Sequence, residues 1–145
     1  MPIRWAYFDT SVLVKRYVRE KGTARAQSLL RRYRFLSSAV VPLEVMSALC
    51  RRRAMEQLAE RDFTAIVSRI REDRRYWELV EVSPLVLDRA EELIQRMSLR
   101  ALDAVHVASA LAFETASGIR IPFVTADGRQ RDAAGQVALN VVWVE

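Results

Sequence analysis

The run Trp5-Ala6-Tyr7-Phe8 constrains this chain most. A strand with almost no polar residue is buried on both faces, which calls for a parallel sheet covered by helices on either side. The run ends at Asp9-Thr10-Ser11 before apolar character resumes at Val12, Leu13 and Val14. In open parallel sheets ligands sit beyond the carboxyl ends of the strands, so Asp9 is the first candidate site residue. Other acids are then expected at the same edge, and Glu44, Asp103 and Asp127 qualify.

The rest of the chain alternates helix and strand. Helical spacing runs from Ser11 to Arg19 with Gly22 as a stop, and Thr23 is expected to cap a second helix reaching about Arg34, with Ala24, Ala26, Leu29 and Leu30 as its apolar stripe. Phe35-Leu36-Ser37 reads as a second strand. Ser38 and Pro42 bracket the start of a third helix, with Val45, Met46, Leu49 and Cys50 facing inward and Glu44 in its first turns, where the helix dipole favours a carboxylate. A long helical stretch covers residues 56–76, then Glu78 to Val82 forms a third strand. Ser83-Pro84 starts a helix whose period is carried by Leu85, Leu87, Ala90, Leu93, Ile94 and Met97.

Leu99 to Leu111 is almost wholly small or apolar, so this helix must be buried on most of its circumference. Asp103 is conspicuous inside it. An ionised carboxylate there is costly unless paired or bound to a metal, and with Arg100 as the one basic neighbour a metal is the more economical explanation. Ile121 to Thr125 is a fourth strand, Asp127-Gly128 a turn at its end, 129–136 a short polar segment, and Leu139 to Val144 a fifth strand. This order predicts one α/β domain over 1–145, three-layered α/β/α, with a mostly parallel central sheet of about five strands.

Charge bears on partners. There are 23 basic residues against 18 acidic ones, a net +5, and all the bases except Lys15 and Lys21 are arginine. A basic body around a small acidic pocket suits a polyanion whose phosphate meets a metal there. A single cysteine forms no internal disulfide, the opening Met1-Pro2-Ile3-Arg4 is expected to lead straight into the first strand, and no apolar run is long enough for a membrane span. A cytoplasmic protein is the expectation.

Tyr7-Phe8-Asp9-Thr10-Ser11, Glu44 in the third helix, Leu102-Asp103-Ala104-Val105-His106-Val107-Ala108-Ser109-Ala110, and Val124-Thr125-Ala126-Asp127 together resemble the four motifs of the PIN domain family, and within it the VapC toxins of toxin-antitoxin pairs. The resemblance covers nearly the whole chain. It implies a metal-dependent endoribonuclease in which Asp9, Glu44, Asp103 and Asp127 are catalytic and bind Mg²⁺ or Mn²⁺, with Thr10, Ser11 and Thr125 supporting them by hydrogen bonds. It also implies a cognate VapB-like antitoxin that wraps the toxin and blocks the acidic pocket, a homodimer, and an RNA substrate.

The chemistry suits these residue types. Mg²⁺ takes hard oxygen ligands and keeps several waters, so a few carboxylates on a strand edge suffice, and the ion both activates a water and neutralises a scissile phosphate. Asp9 and Asp103 are expected as principal ligands, Glu44 and Asp127 as completing or water-orienting groups. Crowded carboxylates without metal are expected to have raised, coupled pKa values. Arg100 is the candidate for a substrate or ion-pair role; Arg51 to Arg53, Arg31-Arg32, and Arg129 with Arg131 read as solvated helix ends and loops, some of which could instead grip an RNA backbone. His106 is set outside the catalytic group as a core or supporting residue, and Tyr7, Phe8, Phe123 and Trp143 read as core rather than as a base-stacking platform.

Read singly, three of the four acids have an ordinary alternative: Asp9 a helix cap, Glu44 a solvated first-turn glutamate, Asp127 a turn residue; the case for an ordinary role is weakest at Asp103. The competing functions are phosphoryl transfer through an aspartyl-phosphate at Asp9, weakened because Ser11 stands where a second Asp is wanted, and a non-catalytic PIN-like binding module.

Overall fold

In the computed structural model, which describes residues 4–145, five strands form one sheet: β1 (Trp5–Phe8), β2 (Arg34–Ser38), β3 (Glu78–Val80), β4 (Pro122–Thr125) and β5 (Asn140–Trp143). The expectation placed on Met1 to Ile3 lies outside the described residues. The order is β3-β2-β1-β4-β5 and every pairing is parallel, so the most apolar strand sits at the centre, as burial on both faces demands.

Successive side chains of β1 serve opposite layers. Ala6 and Phe8 face a core built with α1 (Thr10–Tyr17), α2 (Thr23–Arg32), α3 (Val41–Ala54) and α4 (Glu60–Asp73). Tyr7 faces a second core built with α5 (Pro84–Arg96), α6 (Ala101–Ser117) and α7 (Gly128–Gln136). Phe8 stacks on Phe35 of β2 and Tyr7 on Phe123 of β4, which locks the central strand to both neighbours. From β1 the chain moves outward through β2 and β3, then returns to the other side of β1 for β4 and β5. That reversal opens a crevice between the carboxyl ends of β1 and β4, the place where α/β sheets bind ligands.

Several local expectations are corrected. Gly22, at φ +85°, takes the cap position of α2, while the Thr23 hydroxyl turns back to the Glu20 N–H and the Val18 carbonyl; Ala24 is exposed. Cys50 and Met46 are half-buried, because the inner face of α3 is Val41, Val45 and Leu49. The stretch 56–76 is not one helix: α4 starts at Glu60 and a 3-10 turn, Arg74–Tyr76, ends the segment. The inward face of α5 is Val86, Ala90 and Leu93, leaving Leu85, Leu87 and Ile94 in solvent. Apolar residues crowd that helix on too many sides for periodicity to choose between faces.

The polar segment after Asp127 is the helix α7. Ala133 and Ala134 alone face its core, too little apolar surface to betray a helix in the sequence, and its first N–H groups are capped by Asp127. The expectation for α6 holds: Asp103 to Ala110 are eight consecutive buried residues.

Candidate active site

Asp9 stands at the end of β1 and caps α1. Its Oδ1 accepts from Ser11 Oγ at 2.6 Å and from the Val12 N–H at 3.3 Å, and its Oδ2 accepts from Thr125 Oγ1 at 2.5 Å. The capping role and the candidate site role fall on the same carboxylate. Each hydroxyl that donates to Asp9 also accepts from the chain just beyond β4, Ser11 from the Ala126 N–H and Thr125 from the Asp127 N–H, both at 3.0 Å. They thereby tie β1 to the end of β4. Asp9 has no exposed surface, and that burial raises its carboxyl above the ordinary range against the lowering influence of His106 and of its hydrogen bonds to Ser11, Thr125 and Val12.

Asp103 and Asp127 form a second group. Asp103 Oδ1 accepts from the Gln130 amide at 3.0 Å, and its Oδ2 pairs with Arg100 Nε at 3.0 Å. Asp127 Oδ1 caps α7 through the Arg129 and Gln130 N–H groups at 2.9 and 3.2 Å, and its Oδ2 lies 3.5 Å from Arg100 Nη2. Burial of Asp103 therefore needs no metal to explain it, contrary to expectation. One guanidinium and one buried amide satisfy it. Gln130 is the residue that sequence reasoning missed, because α7 was not legible and a glutamine in a polar stretch carries no signal. Gln130 Oε1 is buried without a hydrogen-bond partner among the described residues.

Glu44, in the first turn of α3, accepts at Oε1 from Thr10 Oγ1 at 2.7 Å and lies 2.5 Å from His106 Nε2. It is not a free, solvated glutamate. A carboxylate only accepts, so Nε2 carries a proton toward Glu44, and the other ring nitrogen, Nδ1, lies 2.7 Å from the Tyr7 hydroxyl. Burial pushes Glu44 up, but the His106 hydrogen bond and field, Thr10 and Arg100 outweigh it and hold its carboxyl below the usual range. Uniformly raised values are therefore not what the site shows: Glu44 moves down, and Asp9 moves up because of burial rather than crowding. His106 is fully buried, as expected of a core residue, and is also Glu44's partner.

All four acids thus reach the carboxyl edge of the sheet, and Thr10, Ser11 and Thr125 each donate to one of them. Among the described residues no three acidic, histidine or cysteine side chains are gathered into a ready-made metal cage. The donor chemistry nonetheless fits a hard divalent cation. Mg²⁺ is commonly held by one or two carboxylates, with water and substrate phosphate supplying the rest, and the two Oδ2 atoms of Asp103 and Asp127 already face one cation, Arg100.

The surroundings are basic. A cavity of about 450 Å³, lined in part by Thr10, Ser11, Lys15, Arg51 and Arg52, shares Ala126 as a wall with an open cleft of about 580 Å³ lined by Arg100, Asp127, Arg129 and Arg131. Together they form a trough whose wall includes Asp127, with Thr10 and Ser11, the hydrogen-bond partners of Glu44 and Asp9, beside it. Arg52 and Arg131 are paired with Glu20 and Asp132, whereas Arg51 and Arg129, one at each end, have no acidic partner among the described residues. No aromatic side chain lines either part. Trp143, expected in the core, is half-buried under Arg131, whose guanidinium lies 4.5 Å from the ring centre.

The sequence and the fold are similar to those of known proteins. The PIN domain matches residues 6–136. Ribonuclease VapC46 of Mycobacterium tuberculosis is 34% identical over 137 residues, covering 94% of this chain and 95% of that protein. A toxin-antitoxin complex from Klebsiella pneumoniae contains a chain that superposes with a TM-score of 0.67 over 97% of this chain and 98% of its own, at 21% identity. FitAcB from Neisseria gonorrhoeae does so with a TM-score of 0.70 over 94% and 95%, at 14% identity. These two likenesses concern the fold.

Proposed function

This chain belongs to the PIN domain family, and from that premise we propose that it is a VapC-type toxin, a metal-dependent endoribonuclease that hydrolyses RNA phosphodiester bonds. The observation that carries the reading is that Asp9, Glu44, Asp103 and Asp127 all lie toward the carboxyl edge at the sheet's reversal, where Asp127, Thr10 and Ser11 line a trough that holds in each part an arginine with no acidic partner among the described residues. Asp103 and Asp127 would hold Mg²⁺ or Mn²⁺ through their Oδ2 atoms, with Asp9 and Glu44 contributing directly or through water. When bound, the ion supplies charge neutralisation at the scissile phosphate and an activated water.

The remaining work falls to the chain itself. Ser11 and Thr125 fix the Asp9 carboxylate and close the crevice beneath the substrate. Thr10 and His106 keep Glu44 ionised and oriented, able to accept a hydrogen bond from a water at its remaining oxygen. Arginines along the trough hold phosphates on both sides of the scissile bond, a contact that carries no base information. Nothing in the site favours an aspartyl-phosphate: Asp9 is buried with both oxygens engaged, and Ser11 binds it rather than serving as a second acid.

The partner on this reading is an antitoxin that covers the acidic edge, with the toxin paired as a homodimer across its early helices. The site of action is the cytoplasm; among the described residues no helix is long and apolar enough to cross a membrane. The test is incubation of the purified protein, freed of any antitoxin, with matched RNA and DNA oligonucleotides in Mn²⁺, Mg²⁺ or EDTA. Cutting of RNA with either ion and not with EDTA is expected, and cutting that persists in EDTA would refute the metal mechanism.

A further inference from the structure

Asp103 and Asp127 divide their oxygens in the same way. In each, Oδ1 is tied to the scaffold, by the Gln130 amide for Asp103 and by the N–H groups of Arg129 and Gln130 for Asp127. In each, Oδ2 is left for Arg100. The carboxylates are thus positioned independently of that arginine. Arg100 itself is 65% exposed, and its other guanidinium hydrogens have no protein acceptor among the described residues. An ion pair made by so exposed a side chain is weak and readily exchanged. A divalent cation with oxygen ligands competes for the same two atoms with twice the charge.

We propose that Arg100 is a resident counter-ion of the acidic centre, occupying the oxygens a divalent cation uses, and that it gives them up on cation entry and turns its guanidinium to the RNA phosphate. Two features recommend this exchange over a permanent ion pair. Arg100 lines the open cleft together with Arg129 and Arg131, so a guanidinium released from the acids is already at the wall where the polyanion lies. Its planar fork of N–H donors then suits a phosphate as well as it suited the carboxylates. The inference rests on the nuclease reading and adds a step of charge exchange between the resting and loaded site.

A scaffold role and a counter-ion role predict opposite results. If Arg100 held the acids in place, its loss would weaken metal binding; if it competes for them, its loss strengthens it. The experiment is Mn²⁺ binding, followed by the paramagnetic resonance of the free ion, for wild type, Arg100→Gln and Arg129→Gln, each verified as folded by thermal melting. Arg129→Gln removes the same charge from the same cleft without vacating the carboxylates. The expected result is an Mn²⁺ Kd about fivefold lower for Arg100→Gln and changed less than about twofold for Arg129→Gln. At saturating Mn²⁺, kcat/KM for RNA is expected to fall about tenfold in Arg100→Gln, although its metal site fills more easily.

An unchanged or weaker Mn²⁺ affinity in Arg100→Gln overturns the proposal, as does an equal gain in Arg129→Gln, which would reduce the effect to net field. Tighter Mn²⁺ binding with unaltered kcat/KM overturns the transfer to phosphate. Absence of Mn²⁺ binding in all three proteins would instead overturn the metal-nuclease reading on which the inference stands.

Discussion

Asp9 and Glu44 respond to pH in opposite senses. Asp9 has its pKa raised by burial, so between the ordinary carboxyl range near pH 4 and its folded value the native state holds more protons than the unfolded chain, and stability falls as pH rises through that window. Glu44 has its pKa lowered, so its contribution is present above the ordinary range and is lost as pH falls through the folded value. Asp9→Asn keeps the acceptor for Ser11 and Val12, and Thr125 can turn its hydroxyl to the Asp127 carbonyl 3.4 Å away. This variant is expected to melt at a higher temperature than wild type at pH 7 in EDTA, with the gap closing below about pH 4, as a calorimetric pH series would show. A lower midpoint at pH 7 would contradict the buried-charge account. His106→Ala deletes a fully buried ring, strands the Tyr7 hydroxyl and frees Glu44; a loss of about 2–4 kcal/mol in urea denaturation is expected, together with a marked fall in RNA cleavage. The acids were readable because each ends an apolar strand or interrupts an apolar helix. His106 was readable as a core or supporting residue but not as the partner of Glu44, and Gln130 was not readable at all, since these contacts depend on which face of α6 and α7 meets which neighbour.

At the level of elements, α6 presses its backbone close to its neighbours. Ala104, Ala108 and Ala110 are buried to 1% exposure or less, and α6 packs against α5, α7 and β2. Ala108→Leu is expected to cost about 1–3 kcal/mol by overpacking, read as a lower denaturation midpoint, whereas the same change at exposed Ala101 should fall within about 0.5 kcal/mol. The small-residue pattern made α6 legible from sequence. It failed for α7, whose stability comes from the Asp127 cap and two alanines, and for α5, where Leu85, Leu87 and Ile94 lie outside the face that packs. Hydrophobic period reports where apolar residues are, not which of them the sheet covers.

For the whole molecule, the reversal of strand order brings residues separated by more than a hundred positions, Asp9 and Thr125, into one buried hydrogen bond, and the trough lies over their neighbours Thr10, Ser11 and Ala126. A mostly parallel sheet of about five strands followed from the helix-strand alternation; that every pairing is parallel, the order β3-β2-β1-β4-β5, and with it the crevice between β1 and β4, did not, since no local signal states on which side of β1 the fourth strand returns. The trough holds polyanion through phosphates, so Arg51→Gln and Arg129→Gln should each lower the slope of log affinity against log salt by about 0.7 for single-stranded RNA bound to the Asp9→Asn protein. Arg75→Gln, whose arginine pairs with Glu72 on another face, should not alter it.

The central claim is that the four carboxylates make one metal-dependent nuclease centre, and cleavage of cellular RNA by wild type and by the double variant Asp9→Asn, Asp103→Asn tests it most directly. Both would be compared at matched fold, judged by circular dichroism and melting, in Mg²⁺, Mn²⁺ and EDTA. The account predicts metal-dependent cutting by wild type and none by the folded double variant. Equal cutting by the two proteins would contradict it.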